Sequence, residues 1–315
     1  MTLRKEYLKE FLNWFWLRPE NAILLAIRAE KYASTFNFFD EASLDVSCGD
    51  GAFSFIAAGG KFGIDTDMFQ AIDISQKRVG NHDAFDAYDN TYHVDIVKKP
   101  DVFYSHGSDW KQNLLNKSNA LGCYQNLVLH DNNKKFAFDD ESFGYIYSNS
   151  TYWVDSFEDH INDLCRVLKP GGRLVLEIKS KDILRFSLDQ YALKLFGKKS
   201  CALIDAGRRS TWMGLKEVDE YKNIFSKLPN MKVVREEPVY GDLMSQIWDI
   251  GLRPVFNPLA KLANGVNRET RREVKTEWCE TFYDLMEHFI VNYESEKETA
   301  IEWLFVLEKE KYVNP

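Results

Sequence analysis

Between Ser43 and Phe55 the chain reads SLDVSCGDGAFSF, an apolar run that stops at Gly49-Asp50-Gly51 with Asp45 just upstream. Two glycines and a carboxylate at the end of a strand admit two readings. One is mechanical, a tight turn into a helix. The other is chemical: without a Cβ, the backbone can approach a ligand closely. A phosphate cradle is a poor match, because a carboxylate stands in the turn. A dinucleotide fingerprint is also incomplete, since CGDGAFS lacks the third glycine of GxGxxG. Further carboxylates stand at Asp73 in FQAIDISQ, Asp109 in HGSDWKQ and Asp131 in NLVLHDNN, and guanidiniums at Arg18, Arg208 and Arg253.

The elements that must position these groups alternate in type. Residues 3–39 read as two amphipathic helices broken at Pro19, which suits the first turn of the second. SLDVS is a buried strand and GAFSFIAAGG a short helix. DVFYSHGSD, NLVLHD, FGYIYSNS and RLVLEIKS are further strands. WKQNLLNKSNALG and DSFEDHINDLCRVL are helices between them, and KPGG reads as a turn. MKVVREEPV and AIEWLFVLEKEK give two last strands, separated by about fifty mostly helical residues. Such alternation specifies an α/β chain with a parallel sheet covered on both faces. Residues 61–100 are acidic and aromatic with no stable period, and read as an insertion.

Bulk composition narrows the function classes. The 315 residues are 45% hydrophobic and 28% charged, as in a globular protein with a sizeable core. A formal net charge of -8 argues against a protein that mainly grips nucleic acid or anionic membrane. Five scattered cysteines form no CxxC pair, so the thiols are read as reduced, with neither a disulfide framework nor a metal site. The first twenty residues lack the apolar run of a signal peptide, and no window is apolar enough to span a bilayer. The expected location is cytoplasmic.

In order and spacing, LDVSCGDG, then HD with FAFDDESFGYIYSN, then RVLKPGGRLVLE, resemble the class I S-adenosylmethionine-dependent methyltransferases over residues 43–180. The resemblance implies a Rossmann-like, seven-stranded, mostly parallel sheet, with the last strand antiparallel. It implies S-adenosylmethionine as cofactor, with Asp45, Ser47, Gly49, Asp50 and Gly51 around its methionine end. It also implies an acid at the end of the second strand to hold the ribose. Asp73 has the familiar local sequence, but an amphipathic helix follows Asp109, and Asp131 lies twenty-two residues on. Asp109 is therefore preferred, and residues 61–100 become an insertion unusual for the family. Asp131 and Asn132 are the implied adenine residues, and Ser148 and Asn149 the strand end beneath the sulfonium. His130 beside them is read as structural.

The acceptor is less legible. SNSTYW lacks the Asn/Asp-Pro-Pro-aromatic motif of amino-directed DNA methyltransferases. Tyr152 and Trp153 can wall the methyl-transfer pocket or pack in the core. WFWLRPENAI and IWDIGLRPVF resemble flanking segments of some bacterial biosynthetic members. Arg18, Arg208 and Arg253 suit a carboxylate or phosphate; alternatively, Arg18 clamps Glu20 and Arg253 clamps Asp249. The role of Asp65, Asp67 and Asp73 stays open, a solvated acidic loop being the plain reading, and the stretch NRETRREVKTEW reads as a solvated helix face.

The resulting organisation is a helical N-terminal cap at residues 1–40 and a cofactor-binding core at 41–240, interrupted at about 61–100. A helical lid insertion follows at 241–298, and 299–315 hold the last core strand. The expected activity is methyl transfer to a small-molecule or sugar-like acceptor, at oxygen. The alternatives are a non-catalytic S-adenosylmethionine-binding module, or another group transferase using the same sulfonium. Oligomeric state is not legible.

Overall fold

The computed structural model describes residues 2–69, 86, 88, 92–187, 197, 212 and 214–311. Asp73 and Arg208 lie outside the described residues.

Seven strands form the main sheet: β1 (Ser43–Val46), β4 (Tyr104–Asp109), β5 (Tyr124–Leu129), β6 (Phe143–Ser148), β7 (Leu168–Lys179), β8 (Met231–Gly241) and β9 (Ala300–Lys309). They lie in the order β5-β4-β1-β6-β7-β9-β8. The pairings from β5 through β7 are parallel, and β9 runs antiparallel between β7 and β8. The alternation of elements implies the parallel part of this sheet, and the resemblance implies its Rossmann-like order with an antiparallel last strand. The strand β1 is buried along its whole length, which explains its apolar run.

Beside the sheet, β2 (Lys61–Phe62) and β3 (Ile96–Lys98) pair antiparallel and bring together the two ends of the insertion. One sequence expectation changes here. KPGG is not a turn before a strand, because β7 already starts at Leu168 and takes Lys169–Gly172 in as a bulge. The register beside β6 shifts there, from Leu168 opposite Phe143 to Arg173 opposite Tyr145. The ladder survives one local irregularity, as sheets commonly do.

Helices α1 (Leu3–Trp14), α2 (Pro19–Ala33), α3 (Ala52–Ala57) and α4 (Gln112–Leu121) lie with the first half of the chain. Pro19 stands in the first turn of α2, where its missing N–H costs nothing. Helix α4 stops at Gly122, whose φ of 61° is a left-handed value that a Cβ would disfavour. Helices α5 (Phe157–Val167) and α6 (Val218–Phe225) pack together through Phe157, Tyr221 and Phe225, with Phe225 against Phe305 of β9. Ser156 caps α5, its Oγ accepting from Asp159 N at 3.3 Å. The residues before β9 form α7 (Asp242–Ile250), α8 (Phe256–Asn264) and the long α9 (Arg268–Asn292).

Those last helices share the core rather than forming one of their own: Met244, Phe256, Ala260 and Ile290 all belong to the main apolar cluster. Arg4 of α1 donates to Ile290 O at 2.9 Å and Tyr293 O at 2.6 Å. NRETRREVKTEW is not a uniformly solvated face. Arg271 and Lys275 are buried, Arg271 on Asp67 at 2.7 Å and Lys275 on the carbonyl of Ile64 at 3.0 Å and that of Thr66. Asp67, in turn, is not a solvated acid. Its Oδ1 accepts from Trp16 Nε1 at 3.0 Å and from Phe69 N at 2.9 Å.

Helix α2 is fixed to the sheet by a buried group of charges. Arg28 Nε and Nη2 each donate at 2.6 Å to one oxygen of Glu302, and Lys179 Nζ lies 3.0 Å from the same carboxylate. Glu177 stands 3.9 Å from Arg28 and accepts from Tyr147 OH at 2.5 Å. Burial, with the neighbouring Glu302, pushes Glu177 above the usual carboxylate range. Glu302 is equally buried, yet Arg28 and Lys179 hold it below that range. Removing one partner strands the others in a medium that cannot solvate them. Arg28→Ala is expected to lower stability by about 3–5 kcal/mol, read as a shifted urea midpoint. A loss no larger than that of an exposed pair would mean that α2 is held by its apolar face alone.

Candidate functional site

Strand order reverses beside β1, which has β4 on one side and β6 on the other. In open α/β sheets the crevice beyond the carboxyl ends of two such strands is where ligands lie. The chain crosses that crevice as Ser47-Cys48-Gly49-Asp50-Gly51 before α3 begins. Ser47, Gly49 and Gly51 all have positive φ, at 59°, 60° and 78°. Cys48 N donates to Ser108 O at 2.8 Å, and Gly51 N to Cys48 O at 3.0 Å, so the turn is pinned to β4.

The two glycines serve different ends. A Cβ on Gly51 would sit 2.9 Å from Ser118 Oγ and 3.1 Å from the Tyr124 ring, so close packing with α4 and β5 demands glycine there. A Cβ on Gly49 would meet nothing within 4 Å. The mechanical reading therefore holds for Gly51, and the open side of the turn is at Gly49.

Carboxylates border that open side unequally. Asp109 ends β4, its Oδ2 accepting from Gly49 N at 3.1 Å and its Oδ1 from Lys111 N at 2.9 Å. Burial raises its pKa against the pull of those amides. Asp131 lies just past β5 on the half-exposed rim, its Oδ1 accepting from Asn133 N at 3.0 Å. Asn132 beside it donates to Ser47 Oγ at 2.8 Å, which steadies a non-glycine residue in the left-handed region. Asp50 turns back on its own loop, accepting from Ala52 N at 3.1 Å, and burial raises it also. Asp45 lies deeper. Its Oδ2 receives Ser54 Oγ at 2.5 Å and Tyr124 OH at 2.6 Å, so it supports the turn from beneath. His130 is stacked on Phe136 with ring centres 3.8 Å apart, and burial lowers its pKa, as a packing role implies.

At the end of β6, Ser148 is fully buried and its Oγ lies 3.4 Å from Ser150 N, with Asn149 partly exposed beside it. Tyr152 is buried while Trp153, at right angles to it, is 54% exposed. Lys179 Nζ donates to Tyr152 OH at 3.1 Å and stands 5.5 Å from the rings of both Tyr152 and Trp248. Lys179, Glu177, Glu302 and Arg28 are absent from the residues that the sequence singles out. The available signal is charge inside otherwise apolar strands, at LVLEIKS and AIEWLFVL. Arg18 and Arg253 are both clamped, Arg18 Nε on Glu20 and Arg253 Nη1 on Asp249 at 2.7 Å. The structural alternative holds for these pairings, and neither guanidinium is a bare positive charge.

Asp45 gives the turn a pH signature. Burial pushes its carboxyl up to about 6, against the two hydroxyl bonds that favour the anion. The folded value lies above the ordinary one, so between the two the folded chain keeps a proton that the unfolded chain releases. Stability therefore falls as pH rises through roughly 4 to 6, by about 3 kcal/mol, and levels off above. Asp45→Asn keeps an acceptor for Ser54 or Tyr124 and removes that slope. The difference in unfolding free energy between the two proteins should change across this window and be flat outside it. A difference constant from pH 4 to 7 would show the carboxyl to be unperturbed.

Residues 101–176 match the family model described as a methyltransferase domain. No curated protein matches the chain in sequence. Among solved structures, the chain is similar to the [4+2]-cyclase SpnF at 11% identity, covering 91% of this chain and 82% of that one, with a TM-score of 0.47. It is similar to the YcgJ protein of Bacillus subtilis at 11% identity, covering 90% and 98%, with a TM-score of 0.44. Geranyl diphosphate C-methyltransferase from Streptomyces coelicolor A3(2) is similar at 11% identity, covering 93% and 82%, with a TM-score of 0.44. The matched segment spans β4 through most of β7, and so includes Asp109, Asp131 and Ser148. That match, with the glycine turn at the switch point, agrees with the resemblance to the class I S-adenosylmethionine-dependent methyltransferases carried by the sequence motifs.

Proposed function

We propose that the chain transfers a methyl group from S-adenosylmethionine to an oxygen of a small-molecule acceptor. The observation that carries this reading is the open side of Gly49, bordered by the Asp109 carboxylate. The turn there has room where any side chain would project, and an acceptor group stands beside it. When bound, the sulfonium supplies a methyl group activated for in-line displacement. The chain's own residues then need mainly to align the acceptor and exclude water. Asp109 would accept from the ribose hydroxyls, Asp131 and Asn132 would read the adenine edge, and the open side of the turn at Gly49, with Asp50, would take the methionine end. Asp45 acts through the turn it supports. Ser148 and Asn149, at the end of β6, would border the sulfonium, and Tyr152, Trp153, Lys179 and Trp248 would border the acceptor. A hydroxyl acceptor would pass its proton to solvent water as the new C–O bond forms, with the C–S bond breaking and the demethylated thioether leaving.

Helices α7 to α9 with residues 14–21 form the lid. They arise where β8 ends and where the chain enters α2, both at the strand-end side of the sheet, and they carry Trp14, Trp16, Trp248 and Trp278. The clamped state of Arg18 and Arg253 removes the support for an anionic acceptor held by either.

Calorimetry with S-adenosylmethionine and its demethylated product tests the cofactor assignment. Asp109→Ala leaves ribose donors without a partner and should weaken binding by about 1–3 kcal/mol, roughly tenfold to a hundredfold. Gly49→Val, folded by circular dichroism, should not bind measurably. Unchanged binding in both variants would move the cofactor away from this crevice.

A further inference from the structure

The edge of the sheet farther from the glycine turn carries a second concavity. Strand β8 is the last of the seven, four strand spacings from β1, or about 19 Å. Beyond its carboxyl end, the start of α7 faces the last turns of α9, and together they border an open cleft of about 550 Å³. A small molecule is accommodated in a space of that size.

One wall of the cleft is apolar. Leu243 and Leu285 line it and are 53% and 63% exposed, so each turns bare hydrocarbon toward solvent. Phe289 and Tyr293 stand with them, their ring centres 5.7 Å apart. Tyr293 is fixed by its hydroxyl, which accepts from Gly241 N at 2.7 Å.

The charge on the lining has one sign. Asp242, Glu294 and Glu296 line the cleft; among the described residues no lysine or arginine does, and His288 is the one basic side chain there. Cations close by are engaged elsewhere. Arg4 is held by Glu30 at 2.5 Å and by the carbonyls of Ile290 and Tyr293, and lies 3.8 Å from Glu294, whose side chain is 77% exposed. Lys5 is taken by Glu287 at 2.9 Å. Lys297 is exposed and outside the lining. Helix α9 adds to the same sign: it is 25 residues long and has no basic residue in its last turn. Its own side chains therefore leave the partial negative charge of its carboxyl end unanswered.

These features together describe one kind of ligand. An anion would be repelled, and a neutral molecule would leave the carboxylates unused. A cation on an apolar body gains from all of them: hydrocarbon burial on the leucines, attraction to the carboxylates, and aromatic rings that favour positive charge. We propose that the cleft between α7 and α9 is a second ligand site, and that it takes an organic cation, an ammonium group on an aryl or alkyl body. The site goes beyond the methyltransferase reading and shares no lining residue with the turn at Gly49.

The test uses calorimetry on the full chain with probes that share one body and differ in charge. They are 4-phenylbutylamine, protonated at neutral pH, 4-phenylbutan-1-ol and 4-phenylbutanoate. The amine should bind about tenfold more tightly than the alcohol, as two or three exposed ion pairs allow, and the carboxylate should not bind measurably. Added salt should narrow the gap between amine and alcohol. Glu294→Gln with Glu296→Gln removes two exposed charges, and should bring the amine to the affinity of the alcohol. Leu285→Ala, at another exposed side chain, should weaken amine and alcohol alike. Both proteins should keep the wild-type melting temperature. Four results would overturn the proposal: equal binding of the three probes, no binding of the amine, an amine preference that survives the double substitution, or displacement of the amine by S-adenosylhomocysteine. The last would seat the cation in the crevice at Gly49. Failure of the amine together with binding of a basic amphipathic peptide would assign the cleft to a protein partner instead.

Discussion

The buried contact between Arg28 and Glu302 ties helix α2 to the end of the sheet. A guanidinium and a carboxylate withdrawn from water demand good geometry, and the two 2.6 Å bonds supply it. Because a helix is rigid over its length, that single anchor sets the height and tilt of α2 over the sheet. Tyr32 then lies flat on Tyr147, with ring centres 3.7 Å apart, and Thr35 reaches Tyr145 OH at 2.7 Å. The same anchor decides where the N-terminus of α2 emerges beyond the strand ends. Lys179 shares Glu302 and carries the constraint across to Tyr152 and Trp248, so the proposed acceptor side is tied to the same charges.

A second knot lies at Asp67. One carboxylate takes Trp16 from the N-terminal segment, Phe69 N from the insertion after α3, and Arg271 from α9. Lys275, one turn along α9, donates to carbonyls of the same insertion. Burial pushes that amine down to about 8, and Asp67 opposes the shift. Three stretches that lie outside the central sheet are thereby joined to one another. Such buried polar contacts are intolerant of sliding, because each leaves an unmet charge if its partner moves. They give the helical insertion a defined seat even though α9 is largely exposed along its length.

Local features of the sequence foretold much of this. The strand and helix order, the glycine turn at Gly49 and Gly51, and Asp109 at a strand end all follow from short-range pattern, since turn chemistry and periodicity are properties of neighbouring residues. The pairings that organise the molecule are not local. Arg28 and Glu302 are separated by 274 positions and Arg271 and Asp67 by 204. A charge in a buried strand, such as Glu177 or Glu302, announces that it must have a partner but not which one. Asp67 and Arg271 therefore read as solvent-facing, because each is polar and each sits in a polar stretch. The bulge at Lys169–Gly172 is hidden for a related reason: Lys-Pro-Gly-Gly is good turn chemistry, and only the pairing on either side of it, at Leu168 and from Arg173 onward, keeps it in the strand.

Charge pairing also bears on what the site can select. On sequence, two Arg-Pro pairs flanking a cofactor core suggest an anionic acceptor, because isolated guanidiniums do bind carboxylates and phosphates. In the folded chain Glu20 and Asp249 stand within bonding distance of those guanidiniums, and Glu302 holds Lys179 on the acceptor side. An anion arriving there would have to compete with a carboxylate already seated in a place of low polarity. Groups that bring no net charge face no such competition, and methyl transfer asks chiefly for alignment and the exclusion of water. Under the proposed activity, neutralised cations and aromatic walls therefore belong together: they favour discrimination by shape over discrimination by charge.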